Sequence, residues 1–373
     1  MATDHHALAQ SIGSVREVIA WALRTLREQR LIERTAAGLR LADPARLHEM
    51  AAGHGAQTTK GCPAFRRSGK EIFMTDRTTS FGDVTLDRVD EWTGKLFTRP
   101  DLLPDSDRQA WEAERVWLEP DFWSADSEDA WLCAQSFLVR SGGRTILVDT
   151  GIGNAKPRPG VPPFDHLDTA YLDNLAAMGV RPADVDLVVC THLHPDHVGW
   201  NTTLVDGEWR PTFPNATYLL PKADFDHLAE LAKSGDTPDP LGSVTAFQDS
   251  VLPVVENAKT QLWEGEEHVV DDALRLVASP GHSPGACVLT ISSGGEKALL
   301  AGDLVHHPMQ ILDPAQRNTL DADGAMATRS RTRLLGWAVE NSAPVYGGHF
   351  PGGRGARISN VGDAFRIDSW TSL

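Results

Sequence analysis

The sequence predicts an α/β fold, and three observations predict it. Short apolar runs rich in β-branched residues alternate with stretches of helical 3- and 4-residue spacing from about residue 130 to 347. Glycine-containing turns separate them, as at Gly142-Gly143 and Gly294-Gly295. Histidines and aspartates recur where an apolar run gives way to a loop, the position at which a sheet holds side chains on one point.

Bulk properties bound the rest. A chain of 373 residues predicts one large domain with an appendage. No run of about 18 apolar residues occurs, so no membrane span is expected. The start Met1-Ala2-Thr3-Asp4-His5-His6 lacks the basic-then-apolar pattern of a secretory signal. Cys62, Cys133, Cys190 and Cys287 lie far apart without a C-x-x-C, which argues against a disulfide framework and for a cytoplasmic address. The net charge of −16 is uneven: residues 1–73 carry 11 Lys/Arg against 7 Asp/Glu, a net of +4, which leaves −20 beyond them. So acidic a main domain argues against nucleic acid or an anionic membrane as its main partner, its charge serving solubility; the expected partner, from the site residues below, is a small-molecule substrate.

In chain order, residues 5–12 and 14–29 read as two helices broken at Gly13, with Ser14 and Glu17 as a capping box. Residues 31–34 and 38–41 read as a small hairpin. The run His6-Ala7-Leu8-Ala9-Gln10-Ser11-Ile12-Gly13-Ser14-Val15-Arg16-Glu17-Val18, followed by Leu23-Arg24-Thr25-Leu26 and Leu31-Ile32, resembles the winged helix-turn-helix of Crp/Fnr-type regulators. The upstream helix and effector domain of that family are absent, and Trp21 stands where it has a small or polar residue. Residues 1–52 are therefore expected to be a truncated winged-helix-like segment that does not bind DNA specifically. Residues 53–75, rich in Gly, Thr, Lys and Arg, read as a linker, and residues 76–373 as the main domain.

In the main domain, residues 130–139 and 145–148 are predicted strands, and the second delivers Asp149-Thr150-Gly151. A helix over 167–178 leads to a buried strand at 186–190. Residues 216–220 are a strand, and 222–233 and 245–257 are helices. Strands follow at 274–277, 287–291 and 297–300, then a helix over 324–341 and a short strand at Val345-Tyr346.

The strand at 186–190 opens onto Thr191-His192-Leu193-His194-Pro195-Asp196-His197-Val198-Gly199. Imidazole and carboxylate in this density suit zinc and its first-row neighbours. His282 follows in Gly281-His282-Ser283-Pro284-Gly285, Asp303 in Gly302-Asp303, and His349 in Gly347-Gly348-His349, each beyond an apolar strand. Singly each is a weak signal. In this order H-x-H-x-D-H, G-H-S-P-G, G-D and G-G-H together are highly specific.

Over residues 76–373 the chain resembles the metallo-β-lactamase-fold hydrolases. The resemblance implies an αββα sandwich of two face-to-face sheets with helices outside. It implies one metal on His192, His194 and His282, a second on Asp196, His197 and His349, and Asp303 bridging them. Asp149 matches the aspartate that orients a ligand imidazole. Two divalent ions would share a water as hydroxide and stabilise an oxyanion, with Asp196 passing the proton to the leaving group. Zinc is the default metal; manganese, iron and cobalt are the alternatives.

Within that family, His194 replaces the acid of flavodiiron oxidoreductases, and Asp303 supplies a bridge that class B1 and B3 β-lactamases lack. The gaps of 85, 21 and 46 positions from His197 through His282 and Asp303 to His349, with Ala301-Gly302-Asp303-Leu304-Val305-His306, Gln310 and Asp313-Pro314, look like the methyl parathion hydrolase branch. That branch adjoins the acyl-homoserine lactonases and implies ester, lactone or phosphotriester hydrolysis, and the family resemblance also suggests a homodimer. Where those lactonases carry a substrate-contacting tyrosine, this chain has His306 and His307; His306 either binds substrate, as a third catalytic residue beside Asp196 and Asp303, or packs the rim. Trp117, Phe122, Trp123 and Trp200 are candidates for an apolar substrate pocket shaped by loops 100–130, 154–166 and 306–320. Arg329, Arg331 and Arg333 read as a solvated helix face. The rival readings are β-lactam hydrolysis, as a main or side activity, and a DNA-binding one-component regulator with a metal-binding sensor domain.

Overall fold

The computed structural model describes residues 32–35, 38–41, 78–234, 239, 241–362 and 364–373. The expected N-terminal hairpin is there, Ile32–Thr35 pairing antiparallel with Gly38–Leu41. The two helices expected before it lie outside the described residues.

Two sheets make the main body. The first runs Thr79–Phe81, Val84–Thr98, Asp129–Ser141, Arg144–Val148, Leu187–Val189, Thr217–Pro221 and Lys259–Trp263 across its width, with Trp123–Ser124 on the Asp129–Ser141 strand. Its last four strands are parallel. The second runs Glu267–Val269, Leu274–Ala278, Cys287–Ser293, Glu296–Gly302, Val345–Gly347, Arg354–Val361 and Ala364–Ser372. Glu296–Gly302 and Val345–Gly347 are the parallel pair in it.

Period-2 alternation builds the layers. Cys287, Leu289 and Ile291 point inward and pack with Ala298 and Leu300 against Phe137, Val139, Ile146, Val148 and Val189 of the first sheet. Their neighbours Val288, Leu299 and Ala301 point outward, under Leu334, Leu335 and Ala338 of the helix Gly324–Glu340. On the opposite outer face, Leu147, Val188 and Leu220 lie under Leu175 of the helix Tyr171–Ala177 and Leu228 of the helix Lys222–Ser234. Burying a side chain of this size stabilises by roughly 1.5–3 kcal/mol, so three apolar interfaces hold the layers in order. This is the expected αββα sandwich, and its strands explain why Val, Ile and Leu dominate both faces. No helix among the described residues is long and apolar enough to cross a membrane.

The strands predicted between 130 and 300 lie within a residue or two of their expected positions, while Thr202–Val205, Glu208–Pro211, Lys259–Trp263 and Glu267–Val269 were not predicted. The 15-residue strand Val84–Thr98 was not predicted, because charged residues occupy buried positions in it. They are paired there: Asp87 accepts from Arg140 at 2.9 Å, and Arg88 bridges Asp90. The helix predicted at 245–257 is instead Ser243–Ala246, a π-turn Phe247–Val251, and Leu252–Asn257. Pro253 has no N–H for the Asp249 carbonyl four residues back, and that carbonyl accepts from Thr202 Oγ1 at 2.5 Å and Lys156 Nζ at 3.2 Å.

Candidate metal centre

The candidate ligands gather at one edge of the sandwich, where the ends of both sheets meet. After Leu187–Val189 the chain leaves the sheet and turns into Pro195–Val198. Pro195 occupies the first helical position, where its fixed φ is favourable, and the turn carries Asp196 and His197 back toward His192. Gly199 is required behind them, since a Cβ there would fall 1.8 Å from the Ile152 carbonyl oxygen. The Cys287 N–H donates to Thr191 O at 2.9 Å and the Cys133 N–H to His349 O at 3.2 Å, tying the two sheets together beside the site. Gly281, at φ +134°, lets the His282 loop press on Ala327, whose N would be 2.1 Å from a Cβ.

The predicted ligands fall into two groups of donor atoms. His192, His194, His282 and Asp303 form one, and Asp196, His197 and His349 the other; within each, the atoms lie within 4.8 Å of one another. His306 takes part in two more, with His282 and Asp321 and with Asp303 and His349. His194 Nδ1 is 3.1 Å from His192 Nε2 and 2.8 Å from His282 Nε2. His197 Nε2 is 3.3 Å from His349 Nε2. Asp196 stands 3.7 Å from His349 Nε2 and 3.9 Å from His197 Nε2.

Asp303 divides its carboxylate between the groups. Oδ1 lies 3.2 Å from His197 Nε2 and 3.0 Å from His349 Nε2. Oδ2 lies 3.5 Å from His192 Nε2 and 3.2 Å from His282 Nε2.

The outward-facing ring atoms fix which way the lone pairs point. Asp149 accepts from His197 Nδ1 at 2.9 Å, and the Cys133 carbonyl accepts from His349 Nδ1 at 2.7 Å. Thr191 Oγ1 spends its own hydrogen on Asp149, at 2.9 Å, so it accepts from His192 Nδ1 at 3.1 Å. With a metal bound, each of these rings would keep its proton on the outer nitrogen and turn a bare Nε2 inward. Imidazole lone pairs from both groups, with a carboxylate shared between them, are the donor chemistry of first-row divalent ions. Asp303 Oδ1, buried and with no hydrogen bond, agrees with that fit.

Charge supports it. Burial pulls the pKa of His192 and His194 well down, so both stay neutral and able to donate a lone pair. Burial also pulls on His197, His282 and His349, but the carboxylates around them together outweigh it, Asp303 first, with Asp149 and Asp196 at His197, Asp321 at His282 and Asp196 at His349; all three are raised, His282 to about 9. Burial would raise Asp303, yet the histidines around it hold it well below the usual carboxylate range. The metal-free centre thus stores protons that divalent ions would displace.

Several positioning residues lacked a sequence signal. Asp224, in the first turn of Lys222–Ser234, is buried and accepts from the Leu193 N–H at 3.1 Å, Ser283 Oγ at 2.8 Å and the Gly285 N–H at 2.5 Å. It thereby joins the His192–His194 loop to the His282 loop. Glu91 accepts from the Ile152 and Gly153 N–H groups at 2.5 and 2.9 Å and from the Trp200 indole at 2.7 Å, fixing the turn after Asp149. Arg331 corrects the expectation of a solvated arginine face: Arg329 and Arg333 are exposed, but Arg331 is fully buried and pairs with Asp321 at 3.3 Å. Its spacing with Ala327, Leu334 and Ala338 puts it on the core stripe, a signal the sequence did contain.

A cavity opens over the two groups, reached by His194, Asp196, His282, Asp303, His306 and His349. Its walls are apolar: Trp92, Leu96 and Phe97 from the strand Val84–Thr98, then Leu132, Val161, Phe164, Leu241 and Leu320. No lysine or arginine lines it among the described residues. The four aromatics expected here are elsewhere. Trp123 packs edge-on to Trp111, and Phe122 stacks on Trp370 beside Trp117, all behind the second sheet. Trp200 stacks on Tyr171 at 5.3 Å. Of the loops expected to shape the pocket, 154–166 and 306–320 do contribute, but the strand before loop 100–130 replaces that loop.

His306 is buried at the cavity floor, its Nε2 3.0 Å from Asp303 Oδ2 and neither ring nitrogen hydrogen-bonded. Burial lowers its pKa to about 4, so it is neutral at pH 7. His307 faces away, stacked on Trp111 at 4.3 Å with Nε2 3.1 Å from the Phe122 carbonyl.

Comparison with known proteins agrees with this architecture. The family model described as "Metallo-beta-lactamase superfamily" matches residues 132–352. An N-acyl homoserine lactonase of Rhizobium radiobacter is 29% identical over 195 residues, covering 49% of this chain and 65% of the relative. The match thus spans slightly less than two thirds of that relative's length. The solved structure of the hydrolase AbOPH, of the beta-lactamase superfamily, overlays with a TM-score of 0.62 at 22% identity, over 79% of this chain and 96% of its own. That of AidC, a dizinc quorum-quenching lactonase in complex with a product, overlays at 0.61 and 22%, over 80% and 97%. At such identities the overlays speak for the fold.

Proposed function

Because the chain belongs to the metallo-beta-lactamase superfamily, we propose that it is a dinuclear metal-dependent hydrolase of neutral, apolar esters, lactones or phosphotriesters. The observation that carries the reading is the division of Asp303, one oxygen toward each donor group. His192, His194 and His282 would hold one ion, Asp196, His197 and His349 the other, and Asp303 both. Zinc fits this set, as do manganese, iron and cobalt. Bound there, such a pair supplies a water acidified to hydroxide near neutral pH and positive charge for a developing oxyanion.

The chain's own residues supply the rest. Asp149, Thr191 and the Cys133 carbonyl keep three imidazoles in one tautomer. Asp196, on the cavity side of its group, is placed to take a proton from the attacking water and return it to the leaving oxygen. His306, neutral, lining the cavity and with its Nε2 3.0 Å from Asp303 Oδ2, is the candidate to hydrogen-bond a substrate oxygen. The apolar walls take the acyl, alkyl or aryl group and exclude water from the reacting bond.

The lining favours neutral substrates over β-lactams and RNA. A substrate carboxylate or phosphodiester charge held away from the metal pair needs a side-chain cation to offset its desolvation, and no lysine or arginine lines this cavity among the described residues. The lactonase relative supports the lactone as one such neutral substrate. The test is a screen of metal-replete protein on aryl esters, acyl lactones, neutral phosphotriesters and β-lactams. Turnover of one of the first three classes is expected. Binding of metal with turnover of none of them rejects the hydrolase reading, and β-lactams as the best substrates reject the neutral-substrate reading.

A further inference from the structure

His282 is the one imidazole of the centre, besides His194 at the cavity mouth, whose outward partner is not settled by a hydrogen bond already described. Its Nδ1 is buried without one, and so is Oδ1 of Asp321. The two atoms face each other at 3.4 Å, on side chains 3% and 0% exposed. Two buried polar atoms that lack partners and stand this close are each other's partner after a small rotation.

Asp321 is not free to turn away. Its Oδ2 is 3.3 Å from Arg331 Nη2 and accepts the Asn318 N–H at 3.3 Å. Arg331 is itself fully enclosed: Nε donates to Leu304 O at 2.7 Å, and Nη1 to Pro314 O at 2.8 Å and Gln316 O at 3.2 Å. The chain beyond Asp321 is locked to the His282 loop, Ala322 N–H donating to His282 O at 3.1 Å and Asp323 N–H to Gly281 O at 2.8 Å. One carboxylate oxygen and the backbone that follows are thus both held, which keeps Asp321 beside the imidazole.

We infer that Asp321, fixed by Arg331, accepts the distal N–H of His282 and holds that ring with its Nε2 lone pair toward the metal centre. The inference rests on the dinuclear reading above. It makes Asp321 and Arg331 positioning residues. It also gives one buried ion pair two tasks: Arg331 clamps Leu304, the residue after Asp303, to the segment 314–321, whose Leu320 forms part of the cavity wall.

Zinc affinity, measured by competition with a chromophoric chelator, tests it. Wild-type protein is the reference, and a wild-type chain that takes up no zinc rejects the dinuclear reading itself. With zinc bound by the wild type, Asp321→Ala is expected to bind the tighter-held ion roughly 10- to 100-fold more weakly. Asp321→Asn keeps an accepting carbonyl and is expected to recover most of that loss. Unchanged affinity in Asp321→Ala overturns the inference. Should the alanine variant not fold, the imidazole ¹⁵N–¹H spectrum of zinc-loaded wild type decides: a hydrogen-bonded proton on His282 Nδ1 is expected, and a bare Nδ1 overturns the assignment.

Discussion

Oδ2 of Asp149 lies 2.9 Å from Nδ1 of His197 and, by the same oxygen, 2.9 Å from the hydroxyl of Thr191. One carboxylate therefore sets two imidazoles, His197 directly and His192 through Thr191 at 3.1 Å. Asp149 sits at φ +59°, a left-handed conformation that aspartate tolerates better than most residues, and the Thr191 N–H holds its other oxygen at 2.7 Å. Asp149→Ala is expected to weaken zinc binding roughly 10- to 100-fold, because both donor groups lose an orienting acceptor. Chelator competition measures this, and an affinity equal to wild type contradicts the role.

Asp224 does for the backbone what Asp149 does for the rings. Burial raises its pKa, while the Gly285 and Leu193 N–H groups and Ser283 hold it toward the ionised form. Asp224→Ala strands these donors in the interior and is expected to destabilise the fold by about 3 kcal/mol. Urea denaturation reads the loss; a change within about 0.5 kcal/mol is what an incidental surface residue would give.

Phe164 meets Trp92 edge-on at 5.2 Å and forms one cavity wall. Truncation to alanine removes apolar contact worth about 1.4 kcal/mol or more, a factor of about 10. Phe164→Ala is expected to raise KM about 10-fold for substrates with long acyl or aryl groups and to leave acetyl esters nearly unaffected. Equal effects on both series would show that the wall does not touch the apolar group.

Glu91 has a pH signature. Burial raises its pKa from 4.5 to about 7, against the hydrogen bonds from Ile152, Gly153, Trp200 and Thr169. Between those two values the folded chain keeps a proton that the unfolded chain has released. Stability from this group is therefore full below about pH 4.5 and is lost as pH rises through about 7. Glu91→Gln cannot release that proton, so its denaturation midpoint is expected to fall less than that of wild type between pH 5 and 7.5. Parallel curves for the two proteins would remove Glu91 as the source.

Much of the centre was legible in the sequence because its chemistry needs particular side chains at strand ends. His192, His194, Asp196, His197, His282, Asp303 and His349 are rare residues in small-residue settings, each following a readable apolar run. The surrounding supports were not legible. Asp224 and Asp321 are ordinary acids in sequence, and only the fold shows them buried against ligand loops. The strand Val84–Thr98 was hidden by charges whose partners lie 47 and 53 positions away, Arg88 with Gln135 and Asp87 with Arg140. The pocket was misplaced for a related reason. Trp117, Phe122 and Trp123 have the composition of a binding wall, but aromatic residues serve a core equally well, and the fold puts these behind the second sheet.

The central claim is a metal pair bridged by Asp303 and competent for hydrolysis. Metal content by elemental analysis, taken together with turnover of the best neutral ester, lactone or phosphotriester, tests it on wild type and Asp303→Ala side by side. The account predicts two divalent ions per wild-type chain, and for Asp303→Ala fewer than two ions and a rate lower by at least about 100-fold. Wild-type turnover with a single ion bound, or an Asp303→Ala chain that keeps both ions and full activity, would contradict it.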